Sequence, residues 1–254
     1  MENFEAYISN EGYLIIPKYN IKYLINFNES DIPSMAEAVE STVRVAGRDG
    51  DISLKTTYEP ISFSIVCYTD DNLEANEKIA EEKNITNFLN SIKNSTIKLA
   101  FERYSKYYEV KYNGTFSKTN YPKFVQFSIP LKSSDSYAKD VETKSIIGNG
   151  EKNSETIKDV GAIFIIKGPA QNPIISLNDY SMEYDMSILE GSKVEIDSKN
   201  STITNINSDG VKTNVMKYYN HQFPKIEFGK NQLKILSGIE NPENVSVSWN
   251  DLKL

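Results

Sequence analysis

A chain of 254 residues, 39% apolar and 25% charged, is long enough to bury one large core or two ordinary ones. Its formal charge of -7 and pI near 5.0 argue against a protein that grips nucleic acid, since phosphate binding needs clustered Lys and Arg, and only Arg44, Arg48 and Arg103 are arginines. No run approaches the length of a membrane span, and "MENFEAYISNEGYLIIPKYN" lacks the basic start and long apolar stretch of a signal peptide, so the expectation is a chain made and folded in the cytoplasm, away from membranes.

The aromatic content is 16 Tyr and 11 Phe against one Trp, and Tyr, Ile, Val and Thr recur in short runs that suit pleated, half-buried surfaces. In chain order, "GDISLKTTYEPISFSIVCYTD" alternates, with Ile61, Phe63 and Ile65 on one face and Ser62, Ser64 and Val66 on the other, which predicts a strand after Pro60. The period then changes. Ile85, Phe88, Leu89 and Ile92 fall at helical spacing, predicting a helix over 72–93 with Asn84 as a candidate break and Asp71–Glu74 as a capping box. A meander of strands follows, with turns at Tyr104 to Lys106, at Asn113–Gly114, which predicts a tight hairpin, and near Pro122. The polar stretch "KSSDSYAKDVETKSIIGNGEKNSETIKDVG" reads as the crossing between two domains, with a boundary near Ser136 to Val141 that gives domains of 1–138 and 139–254.

The second half shows about nine short strands separated by Gly, Asn and Asp turns without a helical period, which predicts an antiparallel sandwich. Its inward residues are expected to include Ile163 and Ile165 or Phe164 and Ile166, then Val194 and Ile196, Ile226 and Phe228, and Leu233 and Ile235. "QFPKIEFGKNQLKIL", Gln222 to Leu236, reads as a strand opened by Pro224, a turn at Gly229 and a second strand. The fold class is therefore mainly β, with one helical region in the first half.

Signs of chemistry are sparse. His221 is the one histidine and reads as a turn residue before Phe223–Pro224; Cys67 lies in an apolar strand and reads as a small buried hydrophobe. One His and one Cys do not build a zinc site, and no disulfide forms within the chain. "GRDGD", Gly47 to Asp51, lacks the further ligands of a calcium or phosphate loop and reads as a tight turn. Glu183 and Asp185 share a strand face at i, i+2, as a glycosidase pair might, although an exposed face is the commoner cause. The aromatic clusters Arg103 to Tyr112 and Met216 to Phe223 suit either strand packing or a sugar- or protein-binding platform. The N-x-S/T triplets at Asn94, Asn113 and Asn200 are ascribed to chance in an Asn-rich chain. No catalytic, cofactor-binding or metal-binding residue is assigned, no cofactor is expected, and the chain is read as a non-enzyme.

In order, these motifs resemble the phage distal tail protein family, the siphophage-type tail component at the baseplate hub. The first-half resemblance rests on Gly50–Asp51, Tyr58–Glu59–Pro60–Ile61, a helix ending in "FLNSIKN", then "TIKLAFERYSKYYEVKYNGT" and "KFVQFSIPLKSSDSYA"; Asp135–Ser136–Tyr137 departs from the family's Asp-Pro-Tyr. The second-half resemblance rests on "NPIISL", "VEIDSKNSTI" and "FPKIEFGKNQLKI", where Phe223, Pro224, Gly229 and Asn231 fall in register, while "VSVSWNDLKL" replaces an Arg-rich strand. The resemblance implies a ring-forming N-terminal β domain and a galectin-like C-terminal β-sandwich. It also implies a homo-oligomer, a hexameric ring at the virion tail tip or in a tail-like particle. Its partners would be the major tail tube protein and a tail-associated lysin or fibre-hub protein, with DNA passing through without specific binding. A carbohydrate-binding module for host adsorption is the alternative.

Overall fold

The computed structural model describes residues 4–32, 38–44, 51–219 and 222–253. The chain divides into two compact units, meeting in sequence at Val141 and Glu142.

The first unit contains β1 (Ala6–Ile8), β2 (Tyr13–Ile16), β3 (Ile21–Ile25), β4 (Ala38–Arg44), β5 (Asp51–Tyr58), β6 (Ser62–Tyr68), α1 (Ala75–Ile92), β7 (Ile97–Phe101), β8 (Lys106–Tyr112), β9 (Ser117–Asn120), β10 (Val125–Ser133) and β11 (Ala138–Asp140). Strands in the order β8-β7-β1-β2-β3-β6-β10 close on themselves, because β10 pairs with β8 as well as with β6. The result is a seven-stranded barrel in which only β1 and β7 run parallel. Closure pairs the two outer strands of these seven with each other, and β9 remains as an added edge strand on β10. Alternation fills the interior: Val125, Phe127, Ile129 and Leu131 of β10 face Phe63, Ile65 and Cys67 of β6 in one core. Each large apolar side chain so buried contributes about 1.5–3 kcal/mol.

The helix runs unbroken through Asn84 and adds Ile85, Phe88, Leu89 and Ile92 to the barrel core, the face read from its spacing. Its capping box sits three residues later than expected, between Glu74 and Glu77, with the Glu74 N–H donating to Glu77 Oε2 at 2.8 Å. Asn72 is the cause, since its φ of 70° turns the chain before the helix begins.

Asn113–Gly114 makes no hairpin. β8 and β9 do not pair with each other; both lie along β10, β9 against residues 125–128 and β8 against residues 131–133. Barrel closure claims the edge of β8, so the intervening residues form a loop, in which the Phe116 N–H donates to Tyr112 Oη at 2.8 Å and the Phe116 ring stacks on Phe127.

The second unit contains β12 (Lys144–Ile147), β13 (Gly150–Ser154), β14 (Val160–Gly161), β15 (Ile163–Lys167), β16 (Ile174–Leu177), β17 (Tyr180–Glu183), β18 (Lys193–Asp197), β19 (Thr202–Ile206), β20 (Lys212–Asn214), β21 (Lys225–Ile226), β22 (Gly229–Ser237) and β23 (Val245–Trp249). They build a six-stranded sheet, β12-β23-β15-β18-β19-β20, a four-stranded sheet, β13-β22-β16-β17, and the short pair β14-β21, all antiparallel. Phe164, Ile166, Val194, Ile196, Val245 and Val247 line the buried face of the larger sheet, which settles the choice left open at β15.

Two expectations fail here, and a third segment holds more structure than its composition suggests. The polar stretch read as the crossing between domains contains the division between the two units, at Val141 and Glu142, and also holds four strands, β11 to β14. Its composition misleads because β12 and β13 are edge strands with a single partner each, so Ser145, Glu151 and Asn153 stand in solvent. Gln222 to Leu236 is no hairpin either: Lys225–Ile226 pairs with β14, whereas Gly229 opens β22, whose partners are β13 and β16. Within it Ile226 is buried as expected, but Phe228 points out at 78% exposure and Ile235 is only half-buried.

Candidate functional site

In the first unit, the turn Ser9–Gly12, the end of β3 and the 3-10 turn Glu102–Tyr104 meet at one mouth of the barrel, whereas β6 runs antiparallel to β3, so its end and the turn Tyr121–Phe124 before β10 lie away from that mouth, beside Tyr13 and Leu24. The mouth exposes Phe27 (57%) and Tyr104 (58%), and the surface beside the end of β6 exposes Leu24 (47%) and Tyr121 (39%), apolar groups of the kind that mark interaction sites. Glu11, Glu29, Asp70, Asp71 and Glu102 stand around these surfaces together with Lys22, Lys78, Arg103, Lys106 and Lys123, so charges of both signs border them. A cleft opens at each of these two surfaces. One of about 320 Å³ lies between Gly12, Phe27, Phe101 and Tyr104, and one of about 490 Å³ lies between Tyr13, Leu24, Tyr68, Asp70, Asp71, Tyr121 and Phe124. β9 supplies a further surface: it pairs with β10 alone, all of its residues are exposed, and Lys118 is ion-paired with Glu82 of α1.

In the second unit, the turn Glu227–Gly229 presents Phe228 on a rigid base. Gly229 takes φ of 91°, and the fully buried Asn231 holds the turn from below. A separate groove of about 870 Å³ is lined by Pro169 to Asn172, Glu183, Ser187 to Glu190 and Ser237 to Glu240, without one aromatic ring among its walls. It therefore lacks the flat apolar platform on which a sugar ring stacks. The least exposed charge in the unit is Asp251. Its carboxylate accepts from Lys144 Nζ at 2.6 Å, Ser154 Oγ at 2.6 Å, and the Glu155 N–H and Trp249 Nε1 at 2.9 Å each. Burial pushes its pKa up, but these four donors outweigh burial and hold the carboxyl below its ordinary value. With every oxygen engaged it ties strands together and is not free to act as an acid or base.

The residues singled out in the sequence do not converge. Cys67 is fully buried in the barrel core, and burial pushes its thiol far up. Glu183 ends β17 and Asp185 lies beyond it, where its N–H donates to the Tyr218 carbonyl; both are exposed, and only Glu183 borders the large groove of this unit. His221, and Gly47 to Gly50 of the "GRDGD" turn, lie outside the described residues. Tyr107, Tyr108 and Tyr219 are buried, and Tyr218 packs edge-on against Tyr184, so most of both aromatic clusters is packing; Tyr104 is the exposed exception. Among the described residues no group of three or more His, Cys, Asp or Glu is placed to hold a metal ion, and no helix is long and apolar enough to cross a membrane. The surfaces around the two barrel clefts were missed from sequence. Their signal, apolar residues at strand ends such as Leu24, Phe27 and Tyr121, becomes legible only when the fold places those ends.

Residues 16–133, within the first unit, match the family model of the phage tail protein RIFT-related domain. The fold of the whole chain is similar to the crystal structure of the Dit protein of phage SPP1, described as a paradigm of the hub adsorption apparatus in phages that infect Gram-positive bacteria. The TM-score is 0.65 at 10% identity, over 91% of this chain and 94% of that one. It is also similar to chains of the phage P2 baseplate in its activated conformation. With calcium the TM-score is 0.57 at 8% identity over 94% of this chain and 93% of that one; with strontium it is 0.55 at 9% identity over the same shares. No curated protein sequence matches the chain significantly. The resemblance read in the sequence is upheld, and the proteins matched are tail and baseplate proteins rather than enzymes.

Proposed function

We propose that this chain, a phage tail protein with the distal tail fold, is a structural component of the tail-tip hub that assembles as a hexameric ring. The observation that carries the reading is coverage. A tail-protein domain occupies most of the first unit, and the distal tail fold extends over 91% of the chain. In the ring, the first unit forms the annulus and the second, a galectin-like sandwich, stands as an appendage. The major tail tube protein lies on one side and a tail-associated lysin or fibre-hub protein on the other.

The physics of such a hub is assembly. A ring needs heterologous contacts, in which one patch of each copy meets a different patch of the next. The exposed apolar residues around the two barrel clefts and the exposed strand β9 supply surfaces of that kind. DNA passes through the lumen without specific binding, which a chain of net charge -7 favours over capture. The lumen-facing residues are expected to be net acidic; a mainly basic lining in an imaged ring would contradict this. The test of the whole reading is the size and shape of the purified chain in solution, by light scattering and negative-stain imaging.

A further inference from the structure

The cleft of about 490 Å³ beside the end of β6 has the make-up of a receptor for an organic cation. The Tyr121 and Phe124 rings stack with centroids 4.5 Å apart and planes 23° apart, and Tyr68 meets Phe124 edge-on at 5.4 Å and 88°. Two aromatic walls therefore stand nearly at right angles. Asp70 and Asp71, both exposed and neither ion-paired among the described residues, add negative charge at the mouth. Aromatic faces attract cations through their quadrupole, and carboxylates beside them strengthen the preference. The chain already shows the effect nearby, where Lys22 Nζ lies 4.6 Å from the centroid of the Tyr13 ring that borders the cleft.

A guanidinium suits the cleft better than an ammonium, because it is planar, stacks on rings and forks onto carboxylates. Arg103 is available for that role. It is exposed between β7 and β8, has no carboxylate partner among the described residues, and its guanidinium carbon lies 6.0 Å from the Tyr104 ring centroid. In the closed order β8-β7-β1-β2-β3-β6-β10, β7 and β6 are separated by intervening strands in both directions, so Arg103 and the cleft lie across the barrel from each other.

We propose that the cleft of Tyr68, Tyr121, Phe124, Asp70 and Asp71 receives Arg103 from a second copy of this chain, a head-to-tail contact. Because the two patches differ and sit on opposite sides, the contact passes from copy to copy, as a closed ring requires. It rests on the ring reading and names residues for it.

The test uses the full chain with Arg103→Ala, which leaves the cleft free of its own copies. It is titrated with N-acetylarginine amide and with the neutral isostere N-acetylcitrulline amide, followed by NMR of the tyrosine rings. Saturable shifts at Tyr68 and Tyr121 are expected with the arginine compound only, weakened roughly 3- to 30-fold by Tyr121→Ala. No shift, or equal shifts with both compounds, overturns the proposal. In parallel, sedimentation should show Arg103→Glu separating copies and the triple variant Arg103→Glu, Asp70→Arg, Asp71→Arg reassembling. Rings that persist in the folded Arg103→Glu variant overturn the contact and leave the ring reading intact. Arginine binding by a parent chain that never assembles supports the cleft and contradicts the ring.

Discussion

Asn231 and Glu227 are joined twice: the Glu227 N–H donates to Asn231 Oδ1 at 3.0 Å, and Asn231 Nδ2 donates to the Glu227 carbonyl at 2.8 Å. The same amide also donates to the Gly229 carbonyl at 3.1 Å and accepts from Asn178 Nδ2 at 3.2 Å. Asn231 is fully buried, so groups left without it lose their partner where water does not replace it. Asn231→Ala should lower stability by about 2–4 kcal/mol, read as a lower denaturant midpoint with unchanged slope. Asn231→Asp should cost at least as much, because a carboxylate turns an acceptor toward two carbonyls. A midpoint unmoved by either substitution would refute this role.

Asp251 should make the second unit acid-sensitive. Its folded pKa lies below the ordinary value, so its contribution is fully present above the unfolded pKa of about 3.9 and is lost as pH falls through the folded value. Asp251→Asn should flatten stability over that acid range. At neutral pH it should cost about 3 kcal/mol by leaving Lys144 without its countercharge. Equal acid dependence in parent and variant, measured by thermal unfolding at stepped pH, would contradict the assignment.

Two glycines with positive φ should respond differently. A Cβ at Gly238 (φ 78°) would stand 2.2 Å from the Gln171 carbonyl oxygen, whereas a Cβ at Gly229 (φ 91°) meets nothing within 4 Å. Gly229→Ala should therefore cost only the backbone strain, about 1–2 kcal/mol. Gly238→Ala should cost clearly more, since backbone must move as well. Similar melting temperatures for the two variants would refute the distinction.

Cys67 should be silent to thiol reagents in the native protein and react fully once denatured. It is buried with its thiol held protonated, and the thiolate is the reactive form. Stoichiometric labelling under native conditions at a rate near that of a free thiol would show that the barrel opens.

Local periodicity carried the strands and the helix face: the 63-65 and 85-88-89-92 patterns face the core as their spacing demands. Pairing was less legible. Asn113–Gly114 has the composition of a tight hairpin, but β10 is long enough to take both β8 and β9, and a sequence does not display that competition for an edge. The same applies to Phe228, which alternates in phase with Ile226 but sits in a turn closed by Asn231, four residues from Glu227. Edge strands β12 and β13 were hidden because solvent on one side permits polar side chains. The cleft beside the end of β6 is the extreme case: Tyr121 is far in the chain from Tyr68 and Asp70 and becomes their neighbour only through the pairing of β10 with both β6 and β9.

Assembly is the property on which the account stands or falls, and the particle formed by the purified chain tests it most directly. Multi-angle light scattering with negative-stain imaging should find a ring with a central hole and a mass about six times 28.8 kDa. A single 28.8 kDa species at every concentration, alone and with tail tubes added, would contradict a hub role.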